Sequence, residues 1–316
     1  MLGLWLENQQ LSLHKNLPVP TPPHGEALIK IIRAGICNTD VELLRGYYPY
    51  AGVLGHEFVG VVESEGEWKG KRVVGEINAR CGTCEACLRK DRNHCENRTV
   101  LGIQNRNGVF AEYTTLPYDN LHEVPRHISD DEAVFAEPLA AALQIPQQVQ
   151  IHPEDRVVLI GDGKLGLLCA QVVALSGCDL TVIGKHPDKL EILKKRGIKT
   201  VLMKDAPKFK ADVAIEVTGS PSGFEMARGY LRGGGRLVLK RTYAGKLTLD
   251  MSSIVVDEIT IVGSRCGPFK TALDLLSRRL VDVGSFIHAQ FKLDAAITAM
   301  EKAQQAGVLK VLLDVS

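Results

Sequence analysis

The spacing of apolar positions changes twice along this chain. Over residues 1–139, short runs such as ALIKII, EFVGVVES and RVVGEI are rich in Val, alternate apolar with polar positions and are punctuated by glycine. That period of two predicts a strand-rich domain. From Arg156 onward the apolar runs become continuous (RVVLI, LTVIG, ADVAIEV, GRLVLK, EITIVG). Between the first four lie LGLLCAQVVALSG, PDKLEILKKRG and SGFEMARGYLRGG, which have helical spacing. Strand and helix alternating in this way predict an α/β unit: a doubly wound parallel sheet with helices on both faces. Beyond Pro268 the rhythm changes again, to FKTALDLLSRRL and a final helix AAITAMEKAQQAG followed by LKVLLDV. A strand-rich start, an inserted α/β unit and a short helix-plus-strand tail predict that the tail returns to the first domain. The expected bounds are 1–139, 140–268 and 269–316.

A length of 316 residues agrees with more than one domain. Charged residues at 24% and apolar residues at 45% describe an ordinary soluble globular chain. A net charge of +1 leaves no basic excess to neutralise a phosphate backbone, so nucleic acid is not an expected partner. No run approaches the ~18 apolar residues of a membrane span. The opening MLGLWLENQQLSLHK lacks the basic start and sustained apolar core of a secretory leader. With eight cysteines, four of them clustered, a reducing cytoplasmic setting with metal-bound thiolates is expected.

The cluster is CGTCEACLRKDRNHC, with Cys81, Cys84, Cys87 and Cys95 at C-x2-C-x2-C-x7-C. Four thiolates at such spacing close a tetrahedral zinc site with no position left open. A second set of donors is scattered. Cys37 ends the apolar run ALIKIIRAG, His56 and Glu57 lie in LGHEFVG, and Glu137 lies in VFAEPLAAALQ. Each alone reads as a core or hydrogen-bonded residue. Together they offer the sulfur, nitrogen and oxygen donors of a catalytic zinc, which keeps three protein ligands and one open position.

Gly161, Gly163 and Gly166 form GDGKLG between the strand RVVLI and the helix that follows, with Lys164 and Leu165 completing the loop. In that setting the glycines allow a tight turn, a close approach of backbone to a pyrophosphate, and close helix–strand packing. The free N–H groups at the helix start favour the phosphates. The next strand ends in Gly184, Lys185 and His186, with Lys189 one turn on, where an NAD enzyme usually carries an acid for the ribose 2′-hydroxyl. A lysine in place of a carboxylate predicts NADP in preference to NAD.

The segment GHEFVGVVESEG resembles the zinc signature of the zinc-dependent medium-chain dehydrogenase/reductase superfamily, the alcohol, polyol and threonine dehydrogenases. The cysteine run is similar to that family's structural-zinc lobe, and GDGKLG sits where its cofactor loop belongs. The order Cys37, GHE, four-cysteine lobe, Glu-Pro-Leu and glycine loop matches across nearly the whole chain, and LKRTYAG, EITIVGSRCG and LKVLLDV look similar too. The resemblance implies a GroES-like catalytic domain with an inserted Rossmann domain and a C-terminal return. It implies one catalytic zinc, on Cys37 and His56 with Glu57 or Glu137 as third ligand, and one structural zinc. Thr39 matches the hydroxyl that passes the substrate proton towards solvent, and Asp40 an acid that fixes the histidine ligand. Lys69 and Lys90 depart from the family pattern.

The activity implied is hydride transfer between a small-molecule alcohol or carbonyl and a nicotinamide, in a homodimer or homotetramer. Tyr47, Tyr48 and Tyr50 line the substrate entrance or serve as packing aromatics. Two other readings stand beside it: an enone or quinone reductase of the same fold without catalytic zinc, and a zinc-ribbon module joined to a nucleotide sensor.

Overall fold

The computed structural model describes residues 1–243 and 246–316. Ala244 and Gly245, the end of the LKRTYAG segment, lie outside the described residues. The chain forms two compact units, Met1–Glu137 with Phe269–Ser316, and Pro138–Pro268.

The first unit is organised by the strand Glu26–Gly35. Its period-two pattern buries Ala27, Ile29 and Ile31 and exposes Lys30, as a half-buried strand does. It pairs antiparallel with Glu57–Val62, Tyr113–Pro117 and Lys310–Asp314, inside a seven-stranded sheet. A bulge between Ile31 and Arg33 resets the register with Glu57–Val62, so Gly35 faces Glu57. On the other side Gly35 faces Leu312 of the C-terminal strand. The last five-residue strand of the chain is therefore an interior strand of the first unit's sheet. The helix Asn38–Leu44 follows at once, with Cys37 as its N-cap. The cysteine run folds around the short helix Glu85–Leu88, beside the paired strands Asn78–Ala79 and Thr99–Val100.

The second unit is a six-stranded parallel sheet: β1 (Arg156–Ile160), β2 (Asp179–Gly184), β3 (Lys199–Leu202), β4 (Ala211–Glu216), β5 (Leu231–Leu239) and β6 (Thr260–Gly263). The order is β3-β2-β1-β4-β5-β6, the doubly wound arrangement of dinucleotide-binding domains. Val157, Val158, Leu159 and Ile160 are all fully buried. This is why β1 reads as a continuous apolar run and not an alternating one. The helices α1 (Lys164–Ala174), α2 (Pro187–Lys194) and α3 (Pro221–Tyr230) connect the strands. No helix among the described residues is long and apolar enough to cross a membrane.

Leu312 is fully buried at the centre of the returning strand. Leu312→Ala should lower the stability of the first unit by about 2–5 kcal/mol in urea unfolding. A loss below about 0.5 kcal/mol, the level of an ordinary surface substitution, would contradict the interior position of that strand.

Candidate metal centres and cofactor loop

Donor atoms of Cys37, His56 and Glu57 lie within 4.8 Å of one another. The cluster has local causes. The strand Glu26–Gly35 delivers Cys37 to the start of the helix Asn38–Leu44, and the GHE turn opens the paired strand, which begins at Glu57. Gly35 makes the room: a Cβ there would stand 2.6 Å from Glu57 Oε2. Asp40, fully buried one helical turn from Cys37, accepts the Cys37 N–H at 2.8 Å through Oδ2. Its Oδ1 lies 3.3 Å from His56 Nδ1. Asp40 thus hydrogen-bonds the Cys37 backbone and sets a carboxylate oxygen beside the imidazole. Thr39 places its hydroxyl 3.8 Å from the Cys37 sulfur. Burial works against charge on His56, yet Asp40 and the Cys37 sulfur hold its pKa well above the ordinary value.

Glu137 opens the helix Ala136–Gln148 and lies outside the group formed by Cys37, His56 and Glu57. A residue that sequence reasoning missed completes the centre. Lys310, fully buried, forms an ion pair with Glu57 and stands 5.4 Å from the Phe135 ring centroid. Burial opposes its charge; the carboxylate of Glu57, then the Cys37 sulfur and Glu137, raise its pKa above that of an ordinary lysine. The signal in the sequence was faint. Lys310 shares a strand face with Leu312, but a lysine at a strand end reads as solvent-facing. Tyr50 is a packing residue, its hydroxyl 2.6 Å from the Val53 carbonyl, whereas Tyr47 and Tyr48 are exposed.

The donors fit a divalent ion with an open position. They combine thiolate, imidazole and carboxylate, and Glu57 Oε1 is buried with no hydrogen-bond partner. The second cluster fits a closed site. The Sγ atoms of Cys81, Cys84, Cys87 and Cys95 are separated by 3.5 Å (84–87), 3.6 Å (81–95), 3.7 Å (84–95) and 4.0 Å (81–87). Four thiolates about 2.3 Å from one zinc ion stand about 3.8 Å apart. Within the lobe, the backbone N–H and hydroxyl of Thr83 lower the Cys81 thiol to about 5, and burial pushes Cys87 up to about 12. A dication would hold all four as thiolates.

In the second unit, Gly161 has φ +124° and a Cβ on Gly166 would meet the Gly161 carbonyl oxygen at 2.4 Å. Both positions require glycine. Gly163, the N-cap of α1, has nothing within 4 Å of its Cβ position, which leaves open space at the helix start where a pyrophosphate is cradled. Lys164 and Leu165 open α1 beside it. Lys185 and His186 lie on the exposed turn after β2, and Lys189 is half-buried in α2.

One premise of the NADP expectation is corrected. A carboxylate does stand at the end of β2, supplied by Asp162 of the glycine loop. Its Oδ2 accepts the N–H groups of Lys185 and His186, each at 2.6 Å. Nothing in β2 itself announced it, because the acid is 22 residues upstream of Gly184.

The first unit thus carries two clusters of side chains able to hold a metal, and the second is a doubly wound dinucleotide fold, the parts of a zinc-binding oxidoreductase. Residues 23–126 match the alcohol dehydrogenase GroES-like domain and residues 165–278 the zinc-binding dehydrogenase family. The L-threonine 3-dehydrogenase of Shewanella frigidimarina is 32% identical, over 83% of this chain and 80% of that protein. An alcohol dehydrogenase of E. coli CFT073 complexed with NADH superposes with a TM-score of 0.91 at 28% identity, over 100% of this chain and 99% of that one. A Sinorhizobium meliloti 1021 protein described as a zinc-binding dehydrogenase, bound to NADP, gives 0.91 at 28%, over 99% of both chains. The chain belongs to the zinc-dependent medium-chain dehydrogenase/reductase superfamily. It is an oxidoreductase that moves hydride between an alcohol and a nicotinamide cofactor.

Removing Lys310 leaves Glu57 buried without its counter-charge. Lys310→Met should cost about 3–5 kcal/mol in urea unfolding, with most of it recovered when Glu57→Gln is added. A cost below about 1 kcal/mol, or no recovery in the double variant, would contradict the pairing.

Proposed function

We propose that this protein is a cytoplasmic dehydrogenase of small alcohols (primary, secondary or polyol) whose catalytic zinc is held by Cys37, His56 and Glu57. The observation that carries the reading is the convergence of those three donor atoms within 4.8 Å, with Glu57 Oε1 buried and unpartnered. When bound at such a centre, zinc would supply a lowered pKa for an alcohol hydroxyl, and a nicotinamide would be the acceptor of the hydride released as the alcohol becomes a carbonyl. The chain's own residues do the rest. Asp40 places its carboxylate 3.3 Å from His56 Nδ1, which would leave the other ring nitrogen to hold the metal. Thr39, beside the Cys37 sulfur, takes the hydroxyl proton and passes it towards solvent.

Lys310 holds one oxygen of Glu57, which would leave the other to hold the metal. Glu137, which acts on the same lysine, would be the carboxylate able to take the place of Glu57. The four-cysteine lobe takes a second, structural zinc with no open position. The enone-reductase alternative leaves the Cys37, His56 and Glu57 cluster without a role, and the zinc-ribbon sensor leaves the two family matches unexplained.

On the nicotinamide, Lys185, His186 and Lys189 favour a 2′-phosphate and Asp162 opposes it. A homodimer or homotetramer is the assembly the family likeness supports. Cys37→Ser should abolish alcohol-dependent nicotinamide reduction across a panel of primary, secondary and polyol substrates while circular dichroism stays native. Full retained turnover would sink the assigned role of Cys37.

A further inference from the structure

The carboxylate of Asp162 occupies the place at the end of β2 that a dinucleotide-binding fold normally fills from the strand itself. Gly184 shows the exchange. A Cβ on Gly184 would stand 2.5 Å from Asp162 Oδ2 and 2.7 Å from its Cβ, so the root of the usual strand-end acid and the Asp162 side chain compete for one volume. The chain has glycine at the strand end and the acid in the loop. Asp162 is held firmly: it is buried, its Oδ2 takes the Lys185 and His186 N–H groups at 2.6 Å each, and both its oxygens lie 3.1 Å from His186 Nδ1. Burial favours the neutral acid, but these donors, His186 foremost, outweigh it and hold the pKa of Asp162 below the ordinary value. The group is a carboxylate across the whole neutral range.

We propose that Asp162 is the residue that selects the nicotinamide, accepting the adenosine ribose 2′-hydroxyl and excluding a 2′-phosphate, so that the protein prefers NAD(H) to NADP(H). The inference deepens the dehydrogenase reading and rests on it. A phosphate at the end of β2 needs N–H donors and a positive surrounding. The two backbone donors there are already satisfied by a carboxylate, which would also face the phosphate as a like charge. The cations left to attract it are Lys185, on an exposed turn where salt screens it, and Lys189, half-buried in α2. A ribose hydroxyl has the opposite requirement. It donates to a carboxylate oxygen, and Oδ1 has only the His186 ring as partner among the described residues.

The test is equilibrium binding of NADH and of NADPH to the zinc-loaded protein, followed by nucleotide fluorescence, for the wild type and for Asp162→Asn. The amide keeps the shape of the side chain and removes its charge. The wild type should bind NADH at least tenfold more tightly than NADPH. In Asp162→Asn that ratio should fall at least fivefold, through tighter NADPH binding. A wild type that binds NADPH as tightly as NADH overturns the proposal, and that measurement stands without any variant. An unchanged ratio in a folded Asp162→Asn protein overturns it as well. Binding of neither nucleotide would overturn the dehydrogenase reading itself, a result distinct from binding with the wrong preference.

Discussion

A carboxylate as deeply buried as Glu57 needs a cation beside it, since an unpaired charge in a protein interior is either neutralised or expels the structure around it. That constraint organises the first unit. The cation comes from Lys310, which is 253 residues away in sequence, so the chain's last strand must run inside the first unit's sheet. It pairs with Glu26–Gly35, the same strand that carries Cys37 to the start of its helix and leaves space for Glu57 at Gly35. One sheet thus sets the ligands, the counter-charge and the room between them. Asp40 extends the arrangement by accepting the Cys37 N–H and setting its other oxygen 3.3 Å from His56 Nδ1. A divalent ion held there would add two positive charges to a pocket whose donors outnumber the lysine.

In the proposed reading the two cysteine-bearing clusters divide the labour of zinc along lines that follow from their donors. Four thiolates saturate a tetrahedral ion, so the lobe around Cys81–Cys95 can contribute folding energy and no substrate position. Cys37, His56 and Glu57 are three donors with mixed charge and one coordination position to spare. The density of cysteine makes the lobe the more visible feature of the sequence, while the proposed chemistry belongs to the sparser set.

The alternation of continuous apolar runs with helical spacing made the doubly wound sheet legible, because buried parallel strands carry their signature in every residue. The GHE segment and the cysteine spacing were legible for a similar reason: metal sites demand particular donors at short separations. What escaped was long-range. Lys310 is an unremarked lysine at a strand end until the sheet register places it against Glu57. Asp162 lies between two informative glycines, and no local rule says that its side chain turns towards the end of the next strand. In both cases the decisive contact is set by which strands are neighbours, and periodicity along the chain does not encode that. The reading of Lys185 as a mark of NADP rested on the strand end alone and did not weigh Asp162, which arrives from another loop.

The central claim is that one ion is held by Cys37, His56 and Glu57 and a second by the four cysteines. Anomalous diffraction at the zinc edge from crystals of the purified protein tests it directly. The account predicts two peaks, one within coordinating distance of Cys37 Sγ, a His56 ring nitrogen and a Glu57 oxygen, the other enclosed by the sulfurs of Cys81, Cys84, Cys87 and Cys95. A single peak confined to the four-cysteine lobe in an enzymatically active preparation would contradict it.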